Sequence, residues 1–358
     1  MAPADRAGEE FRDDERPLGA RIAGSGNAAA RRILSSEELA PLTRLDDWRS
    51  AVAVAQTVGI IAAAAAFGVW VWPSPWLPLS VFVVGVQQHA LFILAHESAH
   101  YRLFANRTLN DAVGRFVGMA SGISMCTYRV IHRLHHNNLY TEEDPDTAIH
   151  GGYPRGVAYL WKKLGQDAIG WNAWKTFAYF FGAPALNDAT HRAARPLDDT
   201  SPQLRASARA DRWFVVAFQI ALPVLCLLVG GWRGLAQYAL LWLLPMLTVL
   251  QPILRLRAIC EHGATTDFSS PLTAARTNRT WGGAANLIAR WMLFPHHVNY
   301  HLEHHLYPAV PHYNLPRLHR ILVAKGALNG AELRDVGETF SLIFAPRLPR
   351  VALAATTP

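Results

Sequence analysis

Residues 77–100 read LPLSVFVVGVQQHALFILAHESAH. The part up to Ala95 carries no charged side chain and is long enough for a helix to cross most of a bilayer's hydrocarbon core. It runs directly into His96 and His100, which stand four apart and therefore share one helical face. An apolar helix that ends in a pair of imidazoles is the feature from which the fold is read.

The same ending recurs twice, as HRLHH at His132 to His136 and HLEHH at His301 to His305. In both strings the outer imidazoles are again four apart, with a third, His135 or His304, between them. Among 16 histidines one His-x-x-x-His pair arises by chance, but three such boxes do not. Neutral imidazole is the commonest metal ligand, and each string is expected to face a single metal centre. Eight imidazoles exceed one tetrahedral site and suit two octahedral-leaning ions in a shared cage. His262, in ICEHGA, follows an apolar run much as HESAH does. From the residues alone it is either a structural histidine or a ninth ligand.

The apolar runs predict an all-α integral membrane protein. Four transmembrane helices, at about residues 51–72, 77–95, 213–230 and 235–254, form two hairpins closed by WPSPW and GGWRG. A helical cap carries the boxes. Hydrophobic residues make up 51% of the chain and charged residues 17%. Apart from Arg233, the hairpin turns hold no Lys or Arg, so both termini and all three boxes are expected on the cytoplasmic side. The net charge of +7 then reads as topology and attraction to anionic membrane lipids, and no basic-aromatic pattern points to nucleic acid.

Residues 1–45 are polar and read as a disordered cytoplasmic arm, 46–322 as the membrane domain and 323–358 as a cytoplasmic tail. No signal peptide is read, because the first apolar run starts late and is too long for one. Residues 113–126 are expected to lie at the interface or re-enter the membrane, and 161–181 to lie at headgroup level. The three cysteines, Cys126, Cys226 and Cys260, form no CxxC and read as free thiols.

HESAH, HRLHHNNLYTEEDPD and NYHLEHHLYP, in that order and with the two-hairpin layout, resemble the integral-membrane fatty-acid desaturase family, which includes related hydroxylases and ketolases. The resemblance covers about residues 51–319. It implies a non-haem di-iron centre that uses O2 as co-substrate to remove hydrogen from an unactivated C–H bond. The implied ligands are His96, His100, His132, His135, His136, His301, His304 and His305, with His262 in the position of the family's isolated extra histidine. Glu97, Glu261, Glu303, Asp144 and Asp146 lie beside ligands and either accept hydrogen bonds from imidazole N–H groups or are merely solvated.

The expected substrate is an acyl-lipid or acyl-thioester chain, lying in a tunnel lined by the first two spans. The expected electron donor is a separate ferredoxin or cytochrome b5 type protein with its reductase, because the sequence has neither a haem-binding His-Pro-Gly-Gly string nor a cysteine quartet. Lys162, Lys163 and Lys175 are its expected landing surface. His89 reads as a helix-to-helix hydrogen bond, His296 and His297 as non-ligands, and His312 and His319 as surface or packing residues. A hydroxylase or ketolase acting on an alkane, sphingolipid, sterol or carotenoid is the alternative within the class. HESAH also spells the His-Glu-x-x-His of an intramembrane zinc metalloprotease, which leaves the other two boxes unexplained. A metal carrier is the third reading, and carriers place ligands near the midplane instead of the membrane edge.

Overall fold

The computed structural model describes residues 33–140, 144–183, 201–265, 270–280 and 282–346. Most of them are helical. Three helical stretches are long and apolar enough to cross a membrane: α2 (Asp47–Trp70), α3 (Leu77–Ala99) and a continuous stretch, Pro202–His262. Asp46 caps α2 by accepting hydrogen bonds from the Trp48 and Arg49 amides, and the WPSPW turn returns the chain into α3. Ahead of them α1 (Ser36–Thr43) starts from a Ser35–Glu38 capping box.

The third stretch is two limbs. At Gly231 the backbone takes φ 59° and ψ −152°, which a glycine adopts at little cost. The chain then doubles back so tightly that a Cβ on Gly234 would sit 2.2 Å from the Cys226 carbonyl oxygen. The Phe218 and Trp242 rings, one on each limb, lie 6.5 Å apart. The outgoing limb belongs to α8 (Pro202–Tyr238), and the returning limb reaches α9 (Leu250–His262) through a π-helical turn at Ala239–Leu243. Pro245 follows that turn and has no N–H to give to an α-helical ladder, so the wider turn relieves the mismatch.

Between α3 and α8 lie α4 (Arg107–Ala120), α5 (Met125–Asn138), α6 (Val157–Ala168) and α7 (Ala173–Phe180). The run expected to be one helix over residues 113–126 is broken by the turn at Ser121–Ser124, so its end starts α5. Trp161, Trp171 and Trp174 are exposed on α6, α7 and the turn between them. Asp211 of α8 accepts from the Ser124 hydroxyl and the Cys126 amide, which ties the second hairpin to the start of α5. After α9 come β1 (Thr277–Arg279), α10 (Ala284–Met292), α11 (His301–Leu306) and α12 (Leu315–Ala324). β2 (Leu333–Asp335) and α13 (Val336–Ile343) complete the described chain.

Two segments expected to be peripheral pack into the body. Residues 1–32 of the expected arm lie outside the described residues. From Leu34 onward the chain is seated: Leu34 and Leu42 are buried with Leu302, Leu306 and Leu318. Of the segment read as a tail, residues up to 346 are described. β2 pairs in parallel with β1, Thr277 opposite Leu333, and Val336 and Ile343 enter the main core. The free thiols are as expected.

Candidate metal centre

α3 brings His96 and His100 to the centre, α5 brings His132, His135 and His136, α9 ends on His262, and α11 supplies His301, His304 and His305. The nine fall into two groups whose nitrogens lie within 4.8 Å of one another: His96, His100, His132, His136 and His304 in one, His135, His262, His301 and His305 in the other. The groups adjoin, with the His136 and His305 rings stacked at 4.1 Å. Each three-histidine string was expected to serve one centre, and the geometry divides both. α5 gives its pair four apart to the five-histidine group and turns His135 toward the other. α11 does the reverse, sending His301 and His305 one way and His304 the other. On a helix the residue three along lies about 60° around from the first, so one short helix can straddle two sites.

Facing Nε2 atoms stand at 3.1 Å for His135–His262, 2.8 Å for His262–His301, 3.1 Å for His301–His305, and 3.0 Å for both His136–His132 and His136–His304. Imidazole nitrogens about 2.1 Å from one ion and at right angles around it stand roughly 3 Å apart. Nδ1 of His135 lies 2.9 Å from Asp144 Oδ1, and Nδ1 of His262 lies 3.2 Å from the Ala274 carbonyl. Those oxygens only accept, so each Nδ1 carries a proton and the Nε2 lone pairs of the neutral rings face one another. A proton relieves one such pair, whereas a cation relieves them all. The residues therefore fit a pair of metal ions held by nitrogen alone.

Burial pushes His100 down to about 3, helped by the charges of Arg102 and Arg129, and holds His132, His136, His301, His304 and His305 well below their ordinary range. These rings are neutral and ready to ligate. Burial also lowers His135, but the carboxylate of Asp144 outweighs it and raises the ring to about 9.

Of the carboxylates expected to steady the rings, Asp144 does so directly. Glu97 comes within 3.4 Å of His96 Nδ1 and Glu261 within 3.6 Å of His301 Nδ1. Asp146 stands 3.8 Å from His135 and accepts from Tyr179. Glu303 turns away, accepting from Thr277 and lying 2.5 Å from His319 Nδ1, so it holds α11 from behind. Glu97 also accepts from the His312 amide at 3.0 Å. It is buried behind His96 and spent on the His312 amide, an environment unlike that of a water-activating glutamate on a three-ligand zinc.

Arg276, fully buried, donates to the carbonyls of Cys260, Gly263 and Ala264 and pairs with Glu332. Asn278 adds a second donor to the Cys260 carbonyl. These groups satisfy the open carbonyls at the end of α9, where a cation is also favoured by the helix dipole, and so fix His262. His150, buried, is a tenth histidine beside the centre. Its ring lies 4.8 Å from that of His262, and its Nε2 is 3.6 Å from Asp144 Oδ2. It belongs to no spaced box, and only its closeness in sequence to the second box signals it.

His89 bonds the Met292 carbonyl at 3.1 Å, as expected of a helix-to-helix contact. His296 and His297 stay outside both groups. His312 is buried, the packing alternative of the two expected for it.

A cavity of about 160 Å³ ends on His132, His135, His262 and His301. Its walls come from α5, α6, α7 and α9, and of the first two apolar helices only Phe92 on α3 contributes. This cavity is thus walled around α5 and α9, not by the two early spans expected to line the tunnel. Arg155, Lys163 and Lys175 line it as well, which takes Lys163 and Lys175 from a flat docking surface into the cavity wall.

The profile of the family described as Fatty acid desaturase matches residues 70–337. Dihydrorhizobitoxine desaturase of Bradyrhizobium elkanii is 29% identical over 296 residues, covering 78% of this chain and 76% of that one. The chloroplastic sn-2 acyl-lipid omega-3 desaturase (ferredoxin) of Helianthus annuus is 25% identical, over 75% of this chain and 60% of its own. Fatty acid desaturase 3 of Homo sapiens is 22% identical, over 71% and 57%. With three quarters of its length matched and its histidines gathered as described, the chain belongs to the fatty acid desaturase family.

Proposed function

We propose that the chain is a membrane fatty-acid desaturase. It holds two non-haem iron ions on the nine histidines, and uses O2 and two electrons from a separate donor to take two hydrogens from neighbouring carbons of an acyl chain. The observation that carries this reading is the partition of nine imidazoles, five and four, at the spacing of adjacent ligands on one ion. Ring nitrogens suit several metals, and membership of the family favours iron. When bound, the iron supplies the oxidising power toward an unactivated C–H bond.

The chain's own residues do the rest. Asp144 keeps the His135 Nδ1 proton outward and Nε2 inward, and the Ala274 carbonyl does the same for His262. Burial of His96, His132, His301 and His304 excludes water from the reacting carbons. Phe92, Ile149 and Leu254 offer apolar wall beside the cage for the reacting segment, and Lys163 and Lys175 suit an acidic group at the substrate's polar end.

In this reading α2, α3 and the two limbs of Pro202–His262 make four crossings, and the box-bearing ends face the cytoplasm with both termini. The Helianthus relative is named for ferredoxin, which favours a ferredoxin-type donor over a cytochrome b5 type, and Lys162 remains exposed for docking. The Bradyrhizobium relative is named for dihydrorhizobitoxine, so substrates outside the acyl lipids belong in the assay.

The test is expression in a host lacking desaturases, with lipid chains and small molecules read by mass spectrometry and metal counted on the purified protein. Two irons per chain are expected, with a product two hydrogens lighter that is lost with His304→Ala. A product one oxygen heavier would make the enzyme a hydroxylase, and a purified chain that takes up no iron would overturn the reading.

A further inference from the structure

A second cavity, of about 480 Å³, shares no lining residue with the one that reaches the cage. One wall is a stripe on α2, Val52, Ala53, Gln56, Thr57 and Ile60, at the spacing of a single helical face. The facing wall is α10, which contributes Leu287 and Trp291 and leaves Leu287 and Ile288 more than half exposed. A short helix with an uncovered apolar face lies at a membrane boundary. Trp48, 76% exposed beside Arg49 in the first turn of α2, marks the same level.

One end of the cavity is cationic. Arg49 and Arg290 line it and no carboxylate does. Two acids lie just outside the lining: Asp46, 3.5 Å from Arg49, and Glu97, which is spent on the His312 amide at 3.0 Å. His296 and His297 occupy left-handed backbone, φ 52° and 60°, at a cost of about 1 kcal/mol or more each. That conformation sets two successive imidazoles on the cavity wall, His296 held by Thr57 at 3.1 Å and His297 accepting from Arg290 at 3.3 Å. His312, 5% exposed, also lines the cavity, and neither of its ring nitrogens makes a hydrogen bond of ordinary geometry. These three rings do not converge as a metal site, and two guanidinium groups would repel a cation.

We propose that this cavity binds one anionic glycerophospholipid from the surrounding bilayer, its phosphate between Arg49, Arg290 and His312 and an acyl chain along the α2 stripe. The volume lies within the roughly 300–1,000 Å³ of ligand pockets and takes the phosphate and part of one acyl chain, the rest of the lipid staying in the bilayer. The cation pair supplies the charge, and the buried His312 imidazole adds a polar group on the same wall. The site needs α2 to lie in a bilayer and does not depend on the di-iron reading.

The experiment purifies the full chain in mild detergent from membranes containing phosphatidylglycerol and phosphatidylethanolamine, and weighs the retained lipid by native mass spectrometry. About one phosphatidylglycerol per wild-type chain, in preference to phosphatidylethanolamine, is expected. Arg49→Gln with Arg290→Gln should cut that retention roughly tenfold or more. Lys162→Gln with Arg320→Gln, the same charge loss elsewhere, should leave it unchanged. Gln56→Trp, which blocks the chain's path without altering charge, should also lose the lipid and decides the matter if the arginine variant does not fold. Equal retention by the blocked variant, or equal filling by phosphatidylethanolamine, would overturn the site.

Discussion

The two histidine groups are built from overlapping helices and held by different means. In the five-histidine group, α3 and α5 each contribute a pair four residues apart, so helical geometry alone aims four rings at one point. Outer contacts there are loose: Tyr128 stands 3.4 Å from His132, and neither ring nitrogen of His96 has a close partner. The four-histidine group takes only one such pair, from α11, plus single rings from α5 and the end of α9. Here the rings are tethered from outside, His135 by Asp144, His262 by the Ala274 carbonyl, and the end of α9 by Arg276. Outer bonds replace repeat spacing where a ligand arrives alone.

The comparison breaks most visibly by deleting one ring from each group. His262→Ala and His304→Ala should both lower turnover by on the order of 10³-fold or more. The metal count should differ: His262→Ala leaves three imidazoles and falls to one ion per chain, whereas His304→Ala leaves four and keeps two. Equal metal loss in the two variants would show the groups to be equivalent.

Arg276→Met tests the tether at α9. It removes the buried cation from Glu332, which keeps Arg334, and takes the Arg276 donors from the Gly263 and Ala264 carbonyls while Cys260 keeps Asn278, so thermal or denaturant unfolding should show a loss on the order of 3 kcal/mol. A loss below about 1 kcal/mol would mean that His262 is placed without it.

Asp144→Asn should weaken metal at the four-histidine group by about 10- to 100-fold, and Glu97→Gln should change the other group by less than tenfold. Chelator competition measures both, and a larger effect from Glu97 would invert the contrast.

The smallest expected effect is in pH. In protein stripped of metal, Asp144 raises His135 to about 9, above its ordinary 6.5. The folded state therefore binds that proton more tightly, and the stabilisation is fully present below pH 6.5 and lost as pH rises through 9. The melting temperature of the stripped chain should fall by on the order of a few degrees across that window, and Asp144→Asn should flatten the fall.

Much of this was legible because spacing is local. The boxes and apolar runs are periodic signals, and the glycines of GGWRG announced the reversal that Gly231 makes. The division of the two three-histidine boxes between the groups was not read, since spacing says which rings share a face but not how many ions the face meets. His150 and Arg276 escaped because each is a lone residue whose role depends on a fold-back. The β1–β2 pair is too short to show alternation. The α1 contact was hidden by the polar composition around it, though Leu34 and Leu42 are the apolar residues that seat it.

That short pair has a consequence for the order of assembly. β1 immediately precedes the turn into α10 and α11, and although Asn299 and Glu303 hold one side of it, its other clasps are made later: Leu333 to Asp335 in the ladder, Glu332 on Arg276, and Thr339 donating to Asn278. A ribosome that has translated through His305 has made every ring of the cage but none of those clasps. The side of β1 that faces away from the cage is therefore secured only by the last stretch of described chain, residues 332–339.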